Sequence, residues 1–326
     1  MTEQGIDAPA GRKKFQRSLL RWYDTNKRNL PWRRESDPYR IWISEIMLQQ
    51  TRVNAVLEHY RLFLKRFPKV ENLASARESS VLAAWSGLGY YRRARMMHAA
   101  AKKVVKELGG KFPTTEAGLR ELPGIGRYTA AAIASIAFGE QTAVVDGNVE
   151  RVLQRLSGKT IAAEQIWATA NDVLDPKRPG DFNQAMMELG ATVCMPRGPL
   201  CMLCPVIELC HARGEMDFGR AASPQKKREI SYVLARQSQS VFLVQRPMDA
   251  SLMAGMWELP EGQANSGTNG TCLTLRHSIT VTDYTVRVFQ GEIPRNVAGN
   301  WVGEKRLGKL PLTGLARKIL RAAEVM

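Results

Sequence analysis

The chain has 326 residues, long enough for two domains that each bury a core. It carries 47 Lys and Arg against 31 Asp and Glu, a formal charge of +16. No apolar stretch approaches the roughly 18 residues of a membrane span. The polar start has no apolar core of an export signal, so a soluble cytoplasmic protein at the bacterial nucleoid is expected, with reduced thiols. From Glu229 onward 11 basic residues face 8 acidic ones, leaving 36 against 23 ahead of it. That basic first two-thirds points to a polyanionic partner, most simply nucleic acid.

Residues 1–14 read as a polar tail, and from 15 to 212 helix follows helix. Asp37 before Pro38 has the form of an N-cap with proline in the first turn. The run 41–67 after it spaces Ile43, Ile46, Met47, Val53, Val56, Leu57, Tyr60 and Leu64 on a helical face. Similar patterns recur at 81–108, 115–122, 128–138, 149–156 and 183–193, separated by Gly- or Pro-bearing turns. No strand-like alternation interrupts them, so an all-α domain is predicted. Residues 213–228 read as a polar linker. Beyond them, 230–235, 241–246 and 284–290 are short β-favouring runs and 312–325 is a helix. The region 229–326 is predicted to be a small α+β module.

Four of the five cysteines, Cys194, Cys201, Cys204 and Cys210, fall in one loop spaced C-x6-C-x2-C-x5-C. A thiolate quartet suits a soft metal. A 4Fe–4S cluster fits the Cys-x2-Cys-Pro run, structural zinc also fits the spacing, and two disulfides are the reading an intracellular setting disfavours.

Leu122, Pro123, Gly124, Ile125 and Gly126 lie between two predicted helices, with Arg127 next. The glycines permit a tight turn, and the following helix start offers unpaired N–H groups to a phosphate. An ordinary turn between packed helices explains the same residues. Glu45 sits within the apolar run 41–48, where desolvation would raise its pKa and make it a proton donor near neutral pH. Alternatively it lies on the wet face, paired with Arg52 or a neighbour. Asp146, with Gly147 and Asn148 before an apolar helical run, reads as an N-cap.

Together these motifs resemble the helix–hairpin–helix DNA glycosylases that carry a 4Fe–4S cluster, and within them the MutY-type adenine DNA glycosylases. The resemblance rests on the Gly124–Gly126 hairpin, the 144–148 run and the cysteine quartet. It rests also on Leu30 to Arg33, Trp42 to Thr51, and Gly87, Leu88, Gly89, Tyr90 and Tyr91. It covers 15–212 nearly continuously. It implies that Glu45 protonates the adenine and that Asp146 stabilises the cationic sugar, with Asn148 beside it and Tyr128 shaping the pocket. Strand-cleaving relatives of the endonuclease III type carry Lys at position 128, so Tyr128 implies base removal alone. Gln50 and Tyr90 match the family's intercalating residues, used once the base is flipped out. Thr51, Arg33, Gly124, Gly126 and Arg127 are further expected DNA contacts, and Arg92, Arg93 and Arg95 suit phosphates. The cluster, held by the four cysteines in the loop 194–210, would shape a basic surface around Arg197.

In the second region, Leu252 to Pro260 resembles the G-x-W-E-x-P signature of the Nudix-like (MutT-like) domain that reads 8-oxoguanine opposite the adenine. The residues after Glu261 lack the acidic helix box of a Nudix hydrolase. Where that family carries Phe-Ser-His, this chain has Ile279, Thr280 and Val281, which leaves Thr280 and Ile279 as candidates for opposite-base recognition. The expected partner is double-stranded DNA with an adenine mispair, bound by a monomer. The rival readings are a thymine-mismatch or other glycosylase of the superfamily, and a non-catalytic DNA-binding iron–sulfur protein.

Overall fold

The computed structural model of the chain describes residues 6, 8–216, 226–250, 252–262, 269–279 and 282–326. Its helices are α1 Pro9–Asn26, α2 Pro38–Leu48, α3 Val53–Arg66, α4 Val70–Ala74, α5 Glu78–Trp85, α6 Arg92–Leu108, α7 Glu116–Arg120, α8 Arg127–Phe138, α9 Gly147–Ser157, α10 Ala163–Val173 and α11 Pro179–Thr192. The strands are β1 Lys226–Leu234, β2 Arg236–Gln237, β3 Ser240–Gln245, β4 Trp257–Glu258, β5 Asn269–Ile279, β6 Thr282–Gln290 and β7 Asn300–Gly303, followed by α12 Glu304–Leu307 and α13 Gly314–Ala322.

Several helices begin where the sequence says they should. The Asp37 side chain accepts from the Tyr39 N–H with Pro38 in the first turn, and Thr115 caps α7 by accepting from Gly118. Other expectations need correcting. The run 41–67 is two helices, because Gln50 adopts a left-handed φ of 53° and the i→i−4 ladder cannot pass through it. No Gly or Pro marks that break. The run 81–108 likewise divides at Gly87, Gly89 and Tyr90, with φ of 110°, 69° and 46°. α1 starts at Pro9, inside the expected tail, and β1 at Lys226, inside the expected linker; residues 217–225 of that linker lie outside the described ones. α10 and β5 were not foreseen.

The chain forms two compact units, one of Met1–Tyr60 with Ala100–Arg220 and one of Arg61–Ala99 with Ala221–Met326. The core of the first joins Phe15, Leu19 and Tyr23 of α1 to Val149 and Leu153 of α9, Ile166 of α10, and Phe182 and Leu189 of α11. α11 approaches its neighbours very closely. A Cβ on Gly180 would stand 2.7 Å from the Ser135 carbonyl oxygen, and one on Gly190 would stand 2.5 Å from Asn148 Cβ.

The second unit holds two sheets. In one, β1 runs parallel to β6, which pairs antiparallel with β5. In the other, β3 lies between β2, β4 and β7. Leu243, Leu259, Val286, Val288, Leu312 and Ile319 bury their core. The helical stretch 61–99, read from sequence as part of the 15–212 domain, falls in this unit, and Ser86 and Tyr91 within it both hydrogen-bond the Leu312 carbonyl.

Close backbone contact at Gly180 gives a direct test. Gly180→Ala is expected to destabilise the protein by about 1–3 kcal/mol, read as a lowered midpoint in thermal or denaturant unfolding. An unchanged midpoint would mean that α8 and α11 can separate at no cost.

Candidate active site

α2 buries Trp42, Ile43, Ile46 and Met47, and Glu45 on the same helix is only 6% exposed. Its side-chain partner is not Arg52 but the Tyr128 hydroxyl, which donates to Glu45 Oε2 at 2.8 Å. Burial drives the Glu45 carboxyl up to about 7; Tyr128 pulls it down and Asp146 pushes it further up. Burial and the same two carboxylates hold the Tyr128 phenol protonated, well above its ordinary value. The pair is therefore an acid that can lose its proton near neutral pH beside a phenol that cannot.

Asp146 is the N-cap of α9, as its sequence context suggests. Its Oδ1 accepts from the Asn148 and Val149 N–H groups, each at 2.8 Å, and its Oδ2 from Asn148 Nδ2 at 2.8 Å. Three donors and the positive end of a helix fix a carboxylate in one orientation. Asn148 is itself held: its Oδ1 accepts from Arg151 Nη2 at 2.8 Å, and the same guanidinium donates to the Gly190 and Cys194 carbonyls.

A third carboxylate was missed from sequence. Glu188 on α11 is fully buried and accepts from Arg28 Nε at 2.8 Å, from Arg28 Nη2 at 2.6 Å and from Arg33 Nη2 at 2.5 Å. Burial alone would raise its pKa, but the two guanidiniums override that and hold it at about 2. The signal was available: Glu188 interrupts an apolar helical run much as Glu45 does. Glu45, Tyr128, Asp146, Asn148, Arg28, Arg33 and Glu188 all line one cavity of about 740 Å³. Two glutamates held at about 7 and about 2 in one pocket are the pattern of a site with divided acid–base roles.

The expected DNA contacts fare unevenly. Gln50 stands exposed at the left-handed turn after α2, and the Thr51 hydroxyl donates to the Gln49 carbonyl beside it. Gly124 takes a φ of 76°, and Gly126 stands as the N-cap before α8 with no side-chain cap, which leaves the first N–H groups of the helix without a side-chain acceptor from that position. Arg127 is less free than expected, stacked 3.9 Å from the Trp167 ring centroid and paired with Glu164 at 3.3 Å. Arg33 is committed to Glu188 rather than to the surface. Arg95 is held by Glu78 and the Ala254 carbonyl, and Arg93 lies over the Trp85 and Tyr90 rings, which leaves Arg92 solvent-facing. Tyr90 is 47% exposed. β5 ends at Ile279; Thr280 and Val281 lie outside the described residues.

Cys194, Cys201, Cys204 and Cys210 line one small cavity with Arg155. Arg155 Nη1 donates to Cys194 Sγ at 3.3 Å, and the Arg213 N–H to Cys210 Sγ at 3.5 Å. Burial pushes the Cys204 thiol up to about 11, so thiolates there need cationic compensation. Four thiols around one small cavity form a soft donor set suited to a thiolate-ligated metal group.

Residues 43–175 match the profile of the HhH-GPD superfamily base excision DNA repair proteins. The human adenine DNA glycosylase is 42% identical over 311 residues, covering 76% of this chain and 57% of the human protein. The chain thus spans under two thirds of that relative. The adenine DNA glycosylase of Buchnera aphidicola (Schizaphis graminum) is 34% identical over 257 residues, covering 76% of this chain and 74% of that protein. The chain belongs to the adenine DNA glycosylase family. A solved thermostable thymine-DNA glycosylase superposes on 63% of it with a TM-score of 0.59 and 31% identity, covering 97% of that chain. This member of the adenine DNA glycosylase family therefore has the helical glycosylase fold, with a sheet-containing region after it.

The pKa of Glu45 carries a stability consequence in this family member. Its folded value of about 7 exceeds the ordinary 4.5. The favourable contribution of the neutral carboxyl is complete below the unfolded value and lost as pH rises through the folded one. Glu45→Gln removes the ionisable charge. Its gain in unfolding free energy over the parent should grow from about pH 5 to about pH 8, by up to roughly 3 kcal/mol. A gain independent of pH would show that Glu45 does not titrate in this range.

Proposed function

We propose that this protein excises adenine mispaired with 8-oxoguanine or guanine in double-stranded DNA, acting as a monomer and leaving the strand intact. The observation that carries the reading is the buried Glu45 carboxyl, poised near neutrality and hydrogen-bonded by Tyr128. In the neutral form Glu45 donates its proton to a ring nitrogen of the flipped adenine. The bond from the sugar carbon to the base then breaks with its electron pair going to the base, and positive charge builds on the sugar. Asp146, held by its three donors, stabilises that charge. Water adds to the sugar carbon, its released proton returns to Glu45, and an abasic site remains. Tyr128 offers no amine for a Schiff base, so no elimination follows.

In this reading Gln50 and Tyr90 fill the space left by the flipped nucleotide, and Thr51, Gly124, Gly126 and Arg127 meet the backbone. Arg33 with Arg28 and Glu188 then forms the polar wall of the pocket rather than a phosphate contact. The sheet-containing region is the Nudix-like reader of the opposite base, with Ile279 and Thr280 as its candidates. Cys194, Cys201, Cys204 and Cys210 would hold a 4Fe–4S cluster, which when bound cross-links their loop and supports the exposed Arg197. Replacing Cys204 by Ala is expected to abolish the equal iron and acid-labile sulfide of the purified protein. Zinc in place of both in the unaltered chain would contradict the cluster.

The solved thymine-DNA glycosylase makes a thymine mispair the specific rival. Single-turnover cleavage with and without alkali separates the two, on duplexes bearing adenine opposite 8-oxoguanine, adenine opposite guanine, and thymine opposite guanine. Breaks only after alkali, and only at adenine, are expected. Product from the thymine duplex alone would overturn the assignment, and breaks without alkali would overturn the hydrolytic mechanism.

A further inference from the structure

In the second unit, the turn from Ser86 to Tyr91 is tied at both ends to the start of α13. Ser86 Oγ donates to the Leu312 carbonyl at 2.9 Å, and the Tyr91 hydroxyl donates to the same carbonyl at 3.0 Å. Arg317 Nε, from the first turn of α13, donates to Ser86 Oγ at 2.9 Å. Ser86, Tyr91 and Leu312 are all buried. Thr313 beside them caps α13 by accepting from the Ala316 N–H at 3.1 Å, which fixes the acceptor end of the network.

Between those anchors the backbone passes through Gly87, Gly89 and Tyr90, all at positive φ. Glycine tolerates that region. Tyr90, at φ 46°, carries a Cβ penalty that its surroundings must offset. Trp85 Nε1 donates to the Gly89 carbonyl at 3.1 Å, and Arg93 Nη2 to the Leu88 carbonyl at 3.0 Å, with the Arg93 guanidinium 5.4 Å from the Tyr90 ring centroid. A strained loop with buried anchors thus presents a half-exposed aromatic ring.

We propose that Ser86, Tyr91 and Arg317 form a latch through which the start of α13 holds the Tyr90 turn in the shape that presents its ring to DNA. These are positioning residues: they act through Tyr90 and touch neither base nor sugar. The inference rests on the wedge role given to Tyr90 above. It makes the C-terminal helix part of the DNA-opening device as well as of the sheet region's core.

The test uses the full chain and a duplex with 2-aminopurine stacked directly beside the mispair, whose fluorescence rises when a wedge unstacks it. Tyr91→Phe removes one oxygen, and Ser86→Ala is a second, independent cut. Each is expected to lower the fluorescence rise by at least half and slow single-turnover release about tenfold, the scale of one net hydrogen bond expressed as a rate. Repeated in a Tyr90→Ala background, neither substitution should cost anything more. An equal loss with and without Tyr90, or a full fluorescence rise with the latch cut, would overturn the proposal. The fluorescence needs no base release. If the unaltered chain frees no adenine, the functional reading fails while this arm still decides the latch.

Discussion

A carboxyl group buried against a phenol is the constraint around which the first unit is organised. Glu45 lies in the apolar part of α2, and its hydrogen-bond partner, Tyr128, carries no charge at neutral pH. A cation there would hold the carboxylate ionised, as Arg28 and Arg33 do for Glu188. A phenol leaves it near neutrality. The same cavity thus contains two carboxyls of one residue type separated by about five pKa units, from about 7 to about 2. That separation is worth several kcal/mol of differential solvation and pairing.

Keeping the acid beside Asp146 without ionising it depends on how the helices meet. α9 presents Asp146 at its start, where its own N–H groups satisfy the carboxylate, so the anion needs no arginine partner that would drain charge from the site. α11 can come this near only because Gly190 has no Cβ to strike Asn148. Arg151 then fastens Asn148 to the Gly190 and Cys194 carbonyls, so the start of the cysteine loop and the aspartate share one hydrogen-bonded frame. Packing, capping and chemistry are one arrangement here.

Much of this was legible in the sequence, because local rules and function agree at the same residues. Asp37 and Asp146 are N-caps on composition alone, and Glu45 is conspicuous as a carboxylate inside an apolar helical run. The break at Gln50 was not legible as a helix end, since a non-glycine residue at positive φ leaves no compositional mark, whereas Gly87 and Gly89 did mark the break at Tyr90. The reach of α11 was also hidden: Arg28 and Glu188 lie 160 residues apart, and no periodicity pairs them. The same holds for residues 61–99, whose helical pattern is correct but which hydrogen-bond the Leu312 carbonyl through hydroxyls at Ser86 and Tyr91. Neither is amphipathic evidence of anything.

The most direct measurement is the titration of Glu45 itself, followed through its side-chain carboxyl carbon in protein labelled with 13C-glutamate and assigned by comparison with Glu45→Gln. A midpoint near 7 is expected, displaced far from the ordinary glutamate value of 4.5. A midpoint near 4.5 would mean that the carboxyl is ionised at neutral pH and cannot be the proton donor, and the central claim would fall with it.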